Sequence, residues 1–469
     1  MTAGNPTPDL YDSVQASFVR RVIFPLHERL KGHSTLRMLD EMEREQWLGA
    51  AQLRQIQERR LQGFLTRAFT TVKYYRDLLQ QFGLRPSDFQ NRTDLAKLPL
   101  LDKKIIRGKL KDLKSSEATR VSEFSTGGST GVPLTFYLGP TRVSSDIASR
   151  CRAESWWGVG MGDREFVVWG SPLELTKQDR WRELRDSIMR TKLMSAFEMS
   201  PAVMDVYLDE MQRNGCRRLF GYPSSIALLC EHARRQGRNL SKLGVQAVFV
   251  TAEFLWDHWR QMISDTFGCP VANGYGGRDS GFIAHECPQG GMHITADRLI
   301  VEIVGDDGRP MRPGELGEIV VTHFDTPEMP FIRYRTGDMG ALGSKSCPCE
   351  RSLPLLEKIE GRKSDFIVTS DGRVMHGLSL IYVLRKIEGV EQFRITQKAV
   401  DTFQVELVAS SDFRRDSELV IRREFEQRMR AAVTVRFEYL STVPPAKNGK
   451  FRYIISEVDA SNLSLAHVG

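Results

Sequence analysis

The chain has 469 residues, of which 41% are hydrophobic, and a formal net charge of +7. This length predicts two or three domains with a sizeable core. The sequence lacks an apolar run long enough to cross a membrane, a secretory signal pattern and a nucleic-acid-binding motif, so we expect a soluble, cytoplasmic protein with no nucleic-acid partner and no membrane partner. Seven widely spaced cysteines argue against a disulfide framework.

The first 100 residues are predicted to be mainly helical. From Glu45 to Phe82, apolar residues recur at helical spacing with charged residues between them. This pattern is typical of an amphipathic helix that packs on a core. We interpret residues 1–100 as a helical region that packs on the body of the protein.

A run rich in glycine and hydroxyl residues follows, and its members could hold phosphate. Glycines let backbone N–H groups approach an anion, and Ser and Thr hydroxyls donate to phosphate oxygens. The run is not a Walker loop, because Val132 stands where that motif has lysine. Alone, it is also compatible with a plain turn or linker. Its members are Ser125, Thr126, Gly127, Gly128, Ser129, Thr130 and Gly131.

Residues 101–362 alternate short strand patterns with helical patterns. Examples of the strand patterns are Phe166–Trp169, Val245–Val250 and Gly317–Thr322, and Pro201–Arg213 is helical in pattern. Such alternation predicts a layered α/β fold. We therefore expect a large α/β body formed by this region.

A metal site is predicted from cysteine and histidine spacing inside this body. Cys287 and His293 form one pair, and Cys347 and Cys349 form a second, so together they could supply the four tetrahedral ligands of a structural Zn²⁺. His285 competes with His293 for the role, and unpaired thiols remain the alternative. The remaining cysteines are predicted to be buried small residues: Cys151, Cys216, Cys230 and Cys269.

A domain boundary is predicted at the polar, glycine-led run Gly361–Asp365. Residues 363–469 again alternate strand and helix patterns, which is enough for a small α+β domain. Near its end stands Asn448-Gly449-Lys450, which alone would be an ordinary turn with a solvated lysine.

Four motifs, taken together, resemble the adenylate-forming superfamily of acyl-CoA synthetases, peptide-synthetase adenylation domains and luciferases. They are Ser125–Gly131, Gly274–Gly281, Tyr334–Asp338 and Asn448–Arg452. Within the superfamily the chain is most similar to the phenylacetate–CoA ligase branch and its relatives in capsular-polysaccharide operons. The resemblance extends from about Tyr74 to Arg452.

The resemblance implies a role for each motif at an ATP site. The Ser125–Gly131 run would hold the β- and γ-phosphates, although relatives often carry lysine at the position of Val132. The motif Tyr275-Gly276-Gly277-Arg278-Asp279 would bind the nucleotide, with Tyr275 beside adenine and Asp279 as the Mg²⁺ ligand. Relatives usually have Thr-Glu where this chain has Arg278-Asp279.

Three further residues complete the implied site. Asp338 would accept both ribose hydroxyls, and Arg362 would contact ribose or phosphate at a hinge. Lys450 would reach the reacting atoms only when a mobile C-terminal lid closes, and would then stabilise charge in the transition state. The resemblance also implies zinc at Cys287, His293, Cys347 and Cys349, because some members of this branch bind zinc at a similar pattern.

The implied activity is AMP-forming carboxylate ligation. An acid would react with ATP to give an acyl-adenylate, and the acyl group would pass to a thiol, with coenzyme A as the expected acceptor. Aromatic residues in the expected pocket segments, namely Trp156, Trp157, Trp169, Tyr222 and Phe254, suit an aryl acid but are equally compatible with a core. A sugar amine or hydroxyl, a carrier-protein thiol, a non-catalytic nucleotide-binding role and a homodimer are left open.

Overall fold

The computed structural model describes residues 10–125, 134–170, 185–196, 199–253, 255, 257–305, 307–360, 366–371, 374–441, 443 and 454–458. The chain divides into two compact units. One consists of residues 1–124 and 135–361, and the other of residues 125–134 and 362–469. The predicted domain bounds, 1–100, 101–362 and 363–469, stay predictions.

Helices dominate the first hundred residues, and most carry one apolar face towards the body. The helices are α1 (Leu10–Phe18), α2 (Phe24–Lys31), α3 (Thr35–Glu45), α4 (Ala50–Thr71) and α5 (Lys73–Phe82), and a π-helical turn over Val19–Ile23 joins α1 to α2. Within the described ranges, no helix combines the length and the apolar character needed to cross a bilayer.

The amphipathic pattern predicted from Glu45 to Phe82 is divided between two helices. The chain leaves helical geometry at Val72, where φ is −110° and ψ is 116°. Thr70, Thr71 and Val72 are three consecutive β-branched residues, which restrict χ1 in a helix and lower its stability. The apolar spacing continues through the break, because Tyr75 and Leu78 of α5 are buried like Phe69 of α4.

A seven-stranded sheet forms one layer of the first unit. In chain order its strands are β3 (Glu165–Trp169), β4 (Thr191–Ser195), β5 (Arg218–Gly221), β6 (Ala247–Thr251), β7 (Val271–Gly277), β8 (Gly281–Glu286) and β9 (Met292–Ile294). Their spatial order is β4-β3-β5-β6-β7-β8-β9. The pairs up to β6–β7 are parallel, whereas β7–β8 and β8–β9 are antiparallel. A tight turn at residues 278–280 therefore stands where the sheet changes direction.

Helices before and between these strands supply the α part of the unit. They are α6 (Lys103–Gly108), α7 (Leu110–Leu113), α8 (Pro140–Ser155), α9 (Pro201–Asn214), α10 (Pro223–Arg235) and α11 (Asp257–Phe267), and the short strands β1 (Ser122–Ser125) and β2 (Thr135–Leu138) pair ahead of α8. Parallel strands joined through helices match the predicted layered α/β body.

A second, antiparallel sheet of four strands completes the first unit. Its strands lie side by side in chain order as β10 (Leu299–Val304), β11 (Gly317–His323), β12 (Tyr334–Leu342) and β13 (Leu356–Glu360). Ile283 of β8 shares one buried cluster with Ile303, Ile319 and Leu356 of this sheet. This packing brings the end of β7 towards β12.

The second unit is smaller and mixes strands with helices. It contains β14 (Phe366–Val368), β15 (Val374–His376), α12 (Leu378–Arg385), β16 (Val390–Ala399), β17 (Thr402–Ala409), α13 (Ser417–Met429), β18 (Thr434–Tyr439) and β19 (Ile454–Ser456). The main sheet has the order β18-β17-β16-β19. Leu384 of α12 and Phe425 of α13 pack with Phe403 and Val405 in its core. The predicted combination of a large α/β body with a small α+β domain is confirmed.

Candidate functional site

Two of the sequence motifs meet where β7 ends. The Tyr275 hydroxyl, on β7, donates a hydrogen bond to Oδ2 of Asp338, on β12, over 3.0 Å. The two residues are separated by 63 positions in the chain and belong to different sheets. Both side chains are half-buried, so the carboxylate is held but stays accessible.

Thr336 fixes the strand that carries Asp338. Its hydroxyl donates to the carbonyl of Ile319 on β11 over 2.8 Å, and it accepts from the backbone N–H of Asp338 over 3.1 Å. A buried hydroxyl that is satisfied on both sides has little freedom to rotate. The carboxylate of Asp338 is therefore oriented by its own strand as well as by Tyr275.

Asp279, in the turn after β7, lies next to a neutral hydroxyl donor and a lysine ammonium group. The Tyr334 hydroxyl donates to its Oδ2 over 2.5 Å, and Nζ of Lys103 on α6 lies 3.8 Å from the same oxygen. The side chains of Asp279 and Lys103 are 12% and 21% exposed, so the pair lies at the rim of the site. The sequence analysis missed this contact, because Lys103 belongs to none of the site motifs.

The turn between β7 and β8 requires glycine at two positions. A Cβ on Gly276 would lie 2.2 Å from the carbonyl oxygen of Gly281, and that contact is between two backbones. Gly281 has φ +88°, a conformation that residues with a Cβ rarely adopt. The close approach of β7 and β8 therefore depends on these residues, and it sets where Tyr275 and Asp279 stand.

A buried arginine donates a hydrogen bond to the backbone of the turn between β7 and β8. Arg142 of α8 is fully buried, and its Nη2 donates to the backbone carbonyl of Arg278 over 3.4 Å. Its Nε lies 3.0 Å from both carboxylate oxygens of Asp146. The pairing offsets the cost of burying the guanidinium. No sequence motif contains Arg142, which in sequence is an ordinary residue of an amphipathic helix.

The four predicted metal ligands come together at the end of the seven-stranded sheet. Cys287 follows β8, His293 lies on β9, and Cys347 and Cys349 lie in the loop between β12 and β13. Their ligand atoms all lie within 4.8 Å of one another. His285, the competing candidate, lies across the sheet from Gly274 and stacks on Phe282 instead.

The spacing of these atoms suits a tetrahedral ion. Sγ of Cys287 and Sγ of Cys347 are 3.6 Å apart, too far for a disulfide of about 2.05 Å and close to the separation of about 3.8 Å that two thiolates 2.3 Å from one zinc would have. Nδ1 of His293 lies 3.1 Å from the carbonyl oxygen of Leu353, and Nε2 lies 3.1 Å from Sγ of Cys349. Nε2 is therefore the ring nitrogen that faces the other three ligands. Burial raises the pKa of Cys287 to about 12, so the thiolate needs a cation to form.

An aromatic pocket borders the motif that contains Tyr275. It holds about 20 Å³ beside Gly274, room for one or two water molecules, and its lining includes Trp157, Phe220, Phe249 and Phe282 together with the charged residue Arg150. Of the aromatic residues singled out in the sequence that the structure describes, Trp157 is the one that lines it.

The other aromatic candidates have different surroundings. Trp169 stacks on Tyr222, with ring centroids 4.1 Å apart. Trp156 is buried, and its indole N–H donates to Oε1 of Gln46 over 2.8 Å. Phe254 lies outside the described residues.

Several predicted site residues lie at the edge of the described ranges or outside them. Ser125 ends β1 at the edge of the described region. The other members of its run, Thr126, Gly127, Gly128, Ser129, Thr130 and Gly131, lie outside the described residues, as do Arg362 and Lys450.

Comparisons with known proteins agree with the four motifs. Residues 367–457 match the model of the CapK C-terminal domain. The chain is 23% identical to protein CapK of Staphylococcus aureus over 86% of its own length and 89% of that protein. It is 25% identical to the phenylacetate-coenzyme A ligase of Thermus thermophilus over 67% of its own length and 72% of the ligase.

A solved structure shares the fold over most of the chain. It is 2-hydroxyisobutyryl-CoA ligase in complex with 2-HIB-AMP and CoA, which matches with a TM-score of 0.66 at 20% identity and covers 89% of this chain and 92% of the ligase. The same ligase in its postadenylation state gives a TM-score of 0.60 at 19% identity, over 90% and 92% of the two chains. The resemblance to CapK, to phenylacetate–CoA ligases and to the adenylate-forming fold is confirmed.

Proposed function

We propose that this protein is an AMP-forming carboxylate ligase. It condenses an acid with ATP to give an acyl-adenylate and pyrophosphate, and it then transfers the acyl group to a thiol, that of coenzyme A. The observation that carries the proposal is the hydrogen bond between Tyr275 and Asp338, because it joins two separate nucleotide motifs at one place. The similarity to acyl-CoA ligases in sequence and in fold supports it.

Asp338 and Tyr275 are assigned to the nucleoside. A carboxylate can accept hydrogen bonds from both ribose hydroxyls, and such charged hydrogen bonds are the stronger ones. Thr336 accepts a hydrogen bond from the backbone N–H of Asp338 and so orders it before the nucleotide binds. Binding therefore costs little conformational entropy at Asp338. The Tyr275 ring would lie beside adenine while its hydroxyl holds the carboxylate.

Asp279 is assigned to Mg²⁺, and its surroundings fit that ion. Mg²⁺ is bound in nucleotide sites by one or two carboxylates together with phosphate oxygens and water. Tyr334 engages Oδ2 of Asp279, whereas Oδ1 accepts no hydrogen bond from the described residues. Lys103 stands close enough to add positive charge against the phosphates. When bound, the ion would neutralise the triphosphate.

The remaining polyphosphate contacts are assigned from the motifs. The run Ser125–Gly131, Gly276, Arg278 and Arg362 would position the phosphates in line with the incoming carboxylate. Lys450 would stabilise the charge that develops at the α-phosphate and acyl oxygens. It would arrive with the C-terminal unit when that unit closes as a lid.

Zinc is assigned to Cys287, His293, Cys347 and Cys349 in a structural role. Four protein ligands leave no open position for a substrate, which is the signature of a structural rather than a catalytic site. The ion would tie the turn after β8 to the loop between β12 and β13.

The acid is proposed to be aromatic. The pocket beside Gly274 is walled by several rings, and aryl groups pack well against aromatic side chains. Its volume is about 20 Å³, so these side chains would move apart to admit an aryl group. Its position next to Tyr275 would put an acid held there beside the nucleotide.

One observation supports an alternative to coenzyme A as the acceptor of the acyl group. The alignment with CapK extends over 86% of the chain, whereas that with the Thermus thermophilus ligase covers 67%, and the C-terminal unit matches the CapK domain. The C-terminal unit is the part that would present the acceptor. A sugar amine or hydroxyl, or a carrier-protein thiol, is therefore the alternative to coenzyme A after the same first step.

The test is acid-dependent exchange of labelled pyrophosphate into ATP, with a panel of aryl, indole and aliphatic acids. We expect exchange with one acid class. Asp338→Ala should lower kcat/KM by about 100-fold, since it removes two charged hydrogen bonds of roughly 1.5 kcal/mol each. Lys450→Ala should lower it by about 10²–10³-fold.

The matched control is Asp77→Ala, which removes an exposed carboxylate that pairs with Lys73 on the surface. Exposed pairs contribute little, so its exchange rate should equal that of the wild type. ATP binding without exchange for any acid would contradict the proposal and favour the non-catalytic reading.

A further inference from the structure

The N-terminal helices carry an apolar stripe on their outer face. Five large apolar side chains recur at every fourth position from α1 through the π-helical turn into α2, and each is at least 46% exposed. They are Val14 (61%), Phe18 (54%), Val22 (46%), Leu26 (57%) and Leu30 (79%). Other positions on these helices pack inward, since Val19 and Glu28 are buried.

The π-helical turn reduces the twist of this stripe. In an α-helix four residues turn the chain by about 400°, so a period-four pattern drifts by about 40° at each step. The turn at Val19–Ile23 has more residues per turn than an α-helix and so offsets part of that drift. The five side chains therefore share one face over roughly 24 Å, at 1.5 Å per residue.

The surface around the stripe is cationic. Arg20, Arg21, Arg29 and Lys31 are all exposed. Glu28 is the one acidic residue between positions 13 and 31, and it is buried, where it accepts from the backbone N–H of Thr35 over 2.7 Å. Between positions 13 and 31, the positive charge beside the apolar residues is therefore not balanced by an exposed carboxylate.

A groove at the end of the stripe adds to this charge. It runs between α2 and α3, and its lining includes Arg29, His33 and Arg37 as well as Glu28, whose carboxylate lies 3.3 Å from Nδ1 of His33. Arg29 precedes Leu30, so the groove and the stripe adjoin. Guanidinium groups in a groove suit a phosphate.

We propose that this face docks on an anionic lipid bilayer. Leu, Val and Phe side chains on one face of a helix, with basic residues beside them, characterise helices that lie in the membrane interface, and each basic residue adds attraction to anionic lipid. The groove at Arg29 and Arg37 would receive a lipid phosphate. This departs from the expectation that the protein has no membrane partner.

A second copy of the chain fits this surface less well. A standard interface takes about 20–30 residues from each partner, whereas the stripe offers five. Two copies that met along it would also bring their arginines together, and like charges across an interface are costly.

The test is co-sedimentation of the full-length protein with vesicles of phosphatidylcholine alone or mixed with phosphatidylglycerol. We expect binding to the mixed vesicles that weakens as salt rises, and little binding to phosphatidylcholine alone. Phe18→Asp with Leu26→Asp should abolish binding. Arg21→Glu with Arg29→Glu should weaken it by at least about 25-fold, at about fivefold for each cation.

The matched control is Val206→Asp with Leu419→Asp, which changes two exposed apolar residues outside the stripe, 52% and 68% exposed. It should bind vesicles like the wild type, and all variants should unfold at the wild-type temperature. Failure of the wild type to bind mixed vesicles would overturn the proposal. So would a dimer in light scattering that Phe18→Asp with Leu26→Asp converts to monomers, since the stripe would then bind a second copy.

Discussion

Replacing Cys347 with alanine should remove a bound zinc ion. The side chain is one of four whose ligand atoms lie within 4.8 Å of one another, and three ligands hold Zn²⁺ far less tightly than four. We expect the purified wild type to contain one zinc ion per chain and Cys347→Ala to contain almost none.

The loss of stability follows from the loop that the ion closes. Cys287 and Cys347 are 60 positions apart in the chain. A cross-link that closes a loop of this length restricts the unfolded chain by about 4 kcal/mol on the chain-entropy model. The free energy of unfolding should therefore fall by about that amount, in addition to the cost of truncating a buried side chain.

Cys230→Ala is the matched control, because Cys230 is as buried as Cys347 but lies outside the cluster. It should keep its zinc and lose about 1 kcal/mol, as buried substitutions commonly do. Zinc per chain is measured by mass spectrometry of the metal, and stability by urea denaturation. The reasoning fails if both variants retain equal zinc, or if both lose equal stability.

Two further outcomes follow from buried contacts. Gly276→Ala should lower the free energy of unfolding by about 3 kcal/mol and weaken ATP binding in calorimetry, because its Cβ would meet the carbonyl of Gly281. Gly63→Ala is the control, because a Cβ there has open space, and it should lower neither the free energy of unfolding nor ATP binding. Equal stability of the two variants would contradict this reasoning. Burial, with Arg142 nearby, holds the pKa of His323 well below 6.5, so the unfolded chain takes up a proton that the folded chain refuses. The free energy of unfolding does not depend on His323 protonation above about pH 6.5, and below that pH His323 should lower it by about 1.4 kcal/mol per pH unit. His323→Asn should make the free energy of unfolding, measured from denaturation curves, less dependent on pH in this range. An unchanged pH dependence would refute the assignment.

The residues that sequence reasoning identified are those whose chemistry is local to a motif. Tyr275 and Asp338 each belong to a short run with a recognisable pattern, and the structure joins them. The cysteines could be grouped because thiols are rare and their pairs are closely spaced. His293 could not be separated from His285 in the sequence, since the choice depends on which of two paired strands borders the loop that carries Cys347 and Cys349.

The residues that it missed act across long distances in the chain. Lys103 reaches Asp279 because α6 packs near the turn after β7, and Arg142 reaches the same turn from α8. Neither has a neighbouring pattern that signals its role. The stripe beginning at Val14 was hidden for another reason, because a periodic apolar helix looks the same in sequence whether its apolar face is covered or exposed.

The central claim is that a carboxylate attacks the α-phosphorus of ATP. The most direct measurement uses the accepted acid labelled with ¹⁸O in its carboxylate and follows the label by mass spectrometry after complete turnover. The account predicts one ¹⁸O atom in AMP and none in pyrophosphate, since the oxygen that bridges acyl and phosphoryl groups stays with AMP when the acyl group leaves. Formation of ADP with ¹⁸O in inorganic phosphate, or AMP without label, would contradict it.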